Sequence, residues 1–268
     1  MFCMSEFEQT HELLDPKLKT CFGDNITYTK YYQLLQNASV VNFKRNKDLV
    51  DITEHIGDLQ IQHGKDMYEE IVKLNMIDNL TLNRMIQIND FVGNPFFCDI
   101  HPKMDRCSPN SIKYVYHGLL IVKKLKDEKL NDIQFVEVGG GYGGQCVILQ
   151  ELCKLFHIRI TKYKLIDLDN VVRFQEKYIQ AYNMHHICEF IPYEEFKHQE
   201  YSKGSFLFSS YALSELSDPI RHEYYEHLLP FVDYGIVIWN NPFAVDLPKQ
   251  HTEIAHNCHN ITGKIFSF

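Results

Sequence analysis

The chain has 268 residues, 45% of them hydrophobic, and a formal net charge of −8, which gives enough apolar material for a sizeable core and the wrong sign for a nucleic-acid groove. The first twenty residues carry Glu6, Glu8, Glu12 and Asp15, no apolar run approaches the length of a membrane span, and the eight cysteines include no Cys-x-x-Cys pair. A secretion signal, a membrane anchor and a disulfide framework are therefore not expected, and the chain reads as a cytoplasmic globular protein with reduced, core-filling thiols.

From about position 27 to 130 the pattern is mainly helical, with Tyr31, Leu34, Leu35 and Ala38 on one apolar stripe and Ile71, Val72 and Leu74 on another. The run Asn89-Asp90-Phe91-Val92-Gly93-Asn94-Pro95 interrupts it. Turn chemistry alone explains this run as a helix stop, while a functional reading puts Asp90 and Asn94 at the mouth of a substrate pocket. The clearest helix opens at Ser108-Pro109, a cap followed by proline in the first turn, and runs through Ile112, Val115, Tyr116, Leu119 and Val122 to a basic end at Lys123, Lys124 and Lys126. Residues 1–130 are thus expected to form a mainly helical region that covers the substrate side of a second unit, 131–268.

That second unit begins with Ile133-Gln-Phe-Val-Glu-Val-Gly-Gly-Gly-Tyr-Gly-Gly-Gln145. A short apolar run entering a glycine turn, followed by helical spacing from Tyr142 to Phe156, predicts strand, loop and helix, with backbone N–H groups free to approach a ligand at the helix start. Further strands are expected at Tyr163–Asp169, Ile187–Ile191, Phe206–Tyr211 and Tyr234–Trp239. Helices fall between them, one capped by Asn170 and one spanning Asp218–Leu229. Strands alternating with helices imply right-handed crossovers and a doubly wound, Rossmann-like parallel α/β sheet. In such a sheet the ligand lies beyond the carboxyl ends of the strands, where the glycine loop, Asp167, Ser209 to Tyr211 and Asn240 converge.

Gly139, Gly141 and Gly144 satisfy GxGxxG with an acid further on, so a dinucleotide site and an NAD-dependent oxidoreductase must be weighed. Glu137 stands against that reading. A carboxylate about 6 Å from a pyrophosphate charge costs on the order of 3 kcal/mol at an effective dielectric near 20, whereas it favours an ammonium group. S-adenosylmethionine carries an ammonium and a sulfonium and no phosphate. Asp167 can accept hydrogen bonds from ribose hydroxyls in either case.

Hydrophobic strand, Glu-x-Gly-x-Gly, helix and an acid ending strand two resemble the class I S-adenosylmethionine-dependent methyltransferases. More narrowly, Val136–Gly144, Tyr163–Asp169, Ser209-Ser-Tyr-Ala-Leu-Ser-Glu-Leu216 and Gly93-Asn-Pro95 resemble a sugar O-methyltransferase family found among polysaccharide-biosynthesis enzymes, over roughly residues 85–245. The resemblance implies that Glu137, Gly139 and Gly141 hold the methionine end and Asp167 the ribose, with Gly140, Tyr142, Gly143 and Ser209 completing the cofactor contacts. It implies a sugar or nucleotide-sugar substrate, for which Asp90, Asn94 and Asn240 are the candidate binding residues by their places in the chain. Class I methyltransferases usually finish with an antiparallel hairpin, and here only Pro242 to Phe268 remains, so the last strand is short, missing or supplied by a partner in a homo-oligomer.

Methyl transfer to a hydroxyl is an in-line displacement that needs alignment and a proton acceptor. Candidate bases are Glu215, just past strand four, then Tyr211 and His222. Glu215 equally suits the start of a helix, and Tyr211 could orient the acceptor or simply pack. Some sugar methyltransferases use Mg²⁺ held by carboxylates near strands four and five. Here strand five ends Trp239-Asn240-Asn241 with no acid, so a complete hard-cation site is not visible. The His251, His256, Cys258 and His259 tail lacks a repeated zinc spacing and reads as solvated. A non-catalytic binding protein that retains the fold is the remaining alternative.

Overall fold

The computed structural model describes residues 34, 35, 37–49, 53, 57–240, 244–256 and 263–268; Tyr31, Asn241, Cys258 and His259 lie outside these. Among the described residues, the helices α1 (Asp58–Leu74), α2 (Asn79–Asp90) and α3 (Pro109–Asp127) precede the sheet. Then follow β1 (Asp132–Val138), α4 (Gly144–Leu155), β2 (Arg159–Asp167), α5 (Asp169–Gln180), β3 (Cys188–Pro192) and β4 (Ser205–Ser210). The one-turn helix α6 (Ala212–Glu215), then α7 (Asp218–Leu228), β5 (Val232–Asn240), β6 (Thr252–Ile254) and β7 (Gly263–Ser267) complete the order.

The strands form one seven-stranded sheet in the order β3-β2-β1-β4-β5-β7-β6. The first five are parallel, and β7 pairs antiparallel with both β5 and β6. The closing hairpin therefore comes from this chain, with β6 three residues long. Strand alternation splits the core in two. Ile133, Phe135, Tyr163, Leu165, Phe206, Phe208, Ile236 and Ile238 pack with α3 and α4 in one cluster. Val136, Val138, Ile166, Leu207, Val237 and Trp239 pack with Tyr224, Tyr225 and Leu228 of α7 in the other.

Helix starts follow the expected local chemistry at α3, where Ser108 Oγ accepts from Asn110 N at 3.2 Å and proline occupies the first turn. At α5 the helix opens earlier than Asn170: Leu168 is the N-cap and Asp169 already lies in the first turn, paired with Arg173 at 2.9 Å. Asp169 thus leaves the strand, and Asp167 is the residue that ends β2. The bend after α2 is a helix stop, with Gly93 and Asn94 both at positive φ.

Candidate functional site

Strand parity determines what reaches the carboxyl ends of the sheet. Glu137 shares a face with Phe135, Ser210 with Phe208 and Asn240 with Ile238, all on the side covered by α3 and α4. A cleft of about 330 Å³ opens there. Its floor is Glu137 and the loop Gly139, Gly140, Gly141 and Tyr142; one wall is Ser210, Tyr211, Glu215 and Asn240. The facing wall comes from the N-terminal helices, through Gln60, His63 and Met67 of α1 and Asn110, Lys113 and Tyr114 of α3. That wall has no motif in the sequence, because its residues share only helix-face spacing until tertiary packing brings them over the sheet.

The floor is built tightly. Gly139 has φ +74° and a Cβ there would stand 2.1 Å from the Ala212 Cβ, so only glycine fits where the loop passes α6. At Gly141, φ +54°, an added Cβ would meet nothing within 4 Å, so the backbone borders open space. Tyr142 is held from behind: Asn89 Nδ2 donates to its hydroxyl at 3.2 Å, and Asn89 Oδ1 accepts from the Tyr178 hydroxyl at 2.7 Å. Phe43 packs edge-on against the Tyr142 ring at 5.0 Å and the fully buried Lys44 ammonium lies 5.0 Å from its centroid. Asn89 and Lys44 are site-building residues that sequence reasoning does not single out, since their partners lie in distant segments.

Glu137 is 2% exposed and accepts from the Tyr163 hydroxyl at 2.7 Å. Burial pushes its carboxyl up to about 7, partly countered by that hydrogen bond and reinforced by the neighbouring Asp167 charge. Asp167 is likewise lifted to about 7 by burial, against the pull of Leu168 N, the Gln175 amide and the N–H groups of Gly141 and Gly140. Gln175 Nε2 bridges Asp167 Oδ2 at 3.1 Å and Gly141 O at 2.9 Å, tying the end of β2 to the loop.

On the second wall, Tyr211 turns the chain with a positive φ of 69° and donates its N–H to Ile238 O at 2.8 Å. Ser214 Oγ donates to Tyr211 O at 2.6 Å and accepts from Asn240 N at 3.0 Å, while the Asn240 amide donates to Glu215 Oε1. Burial raises the Glu215 carboxyl to about 7. Glu215, Tyr211 and Asn240 are therefore brought together in the cleft.

Other expected site residues are placed elsewhere. His222 is exposed on α7 with Nδ1 at 2.7 Å from Asp218 O and does not line the cleft, which removes it as a base. Ser209 has the opposite strand parity: fully buried, it donates to Val138 O at 3.0 Å and accepts from Leu213 N at 3.3 Å, stitching β1 to α6, and Ser210 lines the cleft instead. Gly143 is the N-cap of α4, packed on Ile179 rather than on the cleft. Asp90 accepts from Ser108 N at 3.0 Å and Ser111 Oγ at 2.5 Å, which joins the end of α2 to the start of α3 and leaves the carboxylate outside the cleft. Asn94 is exposed, its carbonyl accepting from Arg45 Nε at 3.1 Å, and is likewise outside. Among the described residues no group of three or more His, Cys, Asp or Glu is placed to hold a metal ion, and no helix is long and apolar enough to cross a membrane.

The strand order, with the seventh strand antiparallel between the fifth and sixth, is a doubly wound Rossmann-like arrangement closed by an antiparallel hairpin. No protein-family model matches the chain, and a search of curated proteins gives no match. Solved structures similar to it include a SAM-dependent methyltransferase from Aquifex aeolicus, at 17% identity over 55% of this chain and 86% of that one, TM-score 0.39. Magnesium protoporphyrin IX methyltransferase from Synechocystis PCC 6803 with bound SAM aligns at 9% identity over 58% and 81%, TM-score 0.40. M. capricolum TrmK in complex with S-adenosyl-homocysteine aligns at 10% identity over 55% of this chain and 66% of that one, just under two thirds of its length, TM-score 0.38. All three TM-scores lie below 0.5, and the chemistry of the cleft has to come from its own side chains.

Proposed function

We propose that the chain is an S-adenosylmethionine-dependent methyltransferase that methylates a hydroxyl of a sugar or nucleotide sugar in the cytoplasm, with residues 1–130 as the acceptor-side cover. The observation that carries this reading is the pair of carboxylates at the ends of β1 and β2. Burial lifts both carboxyls to about 7 beside the glycine loop, and the Asp167 charge adds to the lift at Glu137, a setting that repels a pyrophosphate and is relieved by a cation. The open backbone at Gly141 and the buried acid at Glu137 fit the ammonium end of S-adenosylmethionine, which supplies an electrophilic methyl group when bound.

The remaining chemistry falls to the chain. Glu137, fixed by Tyr163, binds the ammonium, and Asp167 takes the ribose hydroxyls in exchange for the Gln175 amide. Glu215 removes the acceptor proton: a carboxyl near 7 is half ionised at neutral pH, where a general base works best. Asn240 holds one Glu215 oxygen and leaves the other for the substrate hydroxyl, and Tyr211 orients the acceptor. Calorimetric titration with S-adenosylhomocysteine and with NAD, followed by a screen of nucleotide sugars for a product heavier by one methylene, tests the reading. Tight NAD binding without S-adenosylhomocysteine binding sinks it.

A further inference from the structure

Cys146 and Cys188 stand thiol to thiol behind the floor of the cleft. Cys146 lies in the first turn of α4, directly after the glycine loop, and is fully buried. Cys188 opens β3, the edge strand of the sheet, and is half-buried. Their sulfurs are 3.8 Å apart, and the Gln150 amide lies 3.9 Å from the first and 4.0 Å from the second. Neither thiol lines the cleft, so neither belongs to the transfer chemistry. Each nonetheless borders the machinery. Cys146 follows the loop by two residues of helix, and Cys188 is the register partner of Tyr163, whose hydroxyl fixes Glu137.

We infer that Cys146 and Cys188 form an oxidation site, closed to a disulfide by a hydroperoxide such as hydrogen peroxide, and that the closed form holds the cofactor more weakly. Exposure sets the order of events. Cys188, the more exposed thiol, meets the oxidant: its sulfur attacks one peroxide oxygen, the O–O bond breaks, and the hydroxide released takes up the thiol proton as water. The sulfenic acid so formed faces Cys146. Burial first, then the Cys188 contact and the Glu137 charge, hold the Cys146 thiol protonated, which shields it from bulk oxidants and reserves it for the neighbouring sulfur. Its sulfur displaces hydroxide from the sulfenic sulfur, the S–O bond breaks, and the hydroxide leaves with the Cys146 proton as a second water. Two thiols and one peroxide yield one disulfide and two waters, the two electrons passing to oxygen. Bonded sulfurs stand about 2.05 Å apart, so closure draws the first turn of α4 and the start of β3 together from 3.8 Å. The loop has little slack to absorb this, with Gly139 fitted against Ala212 and Gly143 against Ile179. The effect on the cofactor rests on the methyltransferase reading; the disulfide does not.

Mass spectrometry and calorimetry on the full chain test the two halves separately. After hydrogen peroxide treatment and alkylation of the remaining thiols, the peptides carrying Cys146 and Cys188 are expected to be joined, with loss of two hydrogens, and dithiothreitol should part them. The oxidised chain should bind S-adenosylhomocysteine on the order of tenfold more weakly than the reduced one, and by linkage S-adenosylhomocysteine should shift the thiol–disulfide equilibrium in a glutathione buffer toward the thiols by the same factor. Cys188→Ser and Cys146→Ala, given the same peroxide, should keep the affinity of the reduced parent, and either variant suffices if the other does not fold. Peptides that stay separate, or a joined chain that binds S-adenosylhomocysteine as tightly as the reduced one, overturn the proposal. If the peptides join and S-adenosylhomocysteine binds neither form, the methyltransferase reading falls and the oxidation site stands.

Discussion

The floor of the cleft and its two walls are made in opposite ways. Glu137 to Tyr142 are consecutive in sequence, rigid through backbone geometry, and acidic in their single side-chain charge; the walls gather α1, α3, α6 and the end of β5 from across the chain, and their charges oppose one another. A site built so has a cofactor end that tolerates almost no substitution and an acceptor end in which each residue can change separately. The sharpest test of the contrast is Gly139→Ala. A methyl group 2.1 Å from the Ala212 Cβ at φ +74° forces the loop off α6, and we expect a stability loss of roughly 3 kcal/mol or more together with abolished S-adenosylhomocysteine binding. Gly141→Ala, with nothing within 4 Å at φ +54°, should cost only about 1–2 kcal/mol by denaturant titration. Equal losses at the two positions would mean that the close approach at Gly139 is not what fixes the loop.

On the wall, Glu215→Gln should leave cofactor affinity intact and lower turnover by about 10²- to 10⁴-fold, the usual contribution of a general base. Labelled methyl transfer to whichever acceptor the nucleotide-sugar screen identifies provides the readout. A variant that keeps full turnover would return Glu215 to the role of a helix-opening acid and move attention to Tyr211.

Glu137→Gln sharpens the cofactor side through two measurements of opposite sign. The parent carboxyl is raised from 4.5 to about 7 in the folded chain, so between those values the folded state holds more protons than the unfolded one. Its stability contribution is therefore present at low pH and is lost as pH rises through about 7, by at most about 3 kcal/mol. The glutamine variant removes that slope and should be the more stable protein at pH 8. Its affinity for S-adenosylmethionine should nonetheless fall roughly 10- to 100-fold, because a charge-assisted hydrogen bond is gone. In the parent, binding should tighten from pH 6 to 8 with proton release. A variant less stable than the parent at pH 8 would show that the Tyr163 hydrogen bond outweighs the buried charge.

How far the sequence reaches follows the same division. The order of strands and the glycine loop were legible because each depends on a window of a dozen residues: alternation, a turn and a helix start. The wall from α1 and α3 was not, since Lys113 and His63 come to line one cleft only once those helices pack over the sheet. Asp90 misled because an acid in a bend looks available, whereas here it caps the junction of two helices. Between these extremes lies a signal that was present and unused. Glu137 and Phe135 share one parity along β1, and the same counting along β4 from Phe206 and Phe208 selects Ser210 and excludes Ser209. His222 escapes any such rule, since a helical position just past the strands says nothing about which way the helix turns.

Ser209→Ala is the smallest effect and isolates scaffold from site. The Oγ is fully buried and bridges Val138 O to Leu213 N, so its removal leaves a carbonyl and an amide short of a partner without opening the cleft. We expect a stability loss of about 1–2 kcal/mol in urea, with S-adenosylhomocysteine affinity within twofold of the parent. Because the bridge ends on α6, two residues before Glu215 in that helix, a modest fall in turnover with unchanged affinities fits the same role. A tenfold loss of cofactor affinity at unchanged stability would instead make Ser209 a direct cofactor contact and would require β4 to present its other face to the ligand.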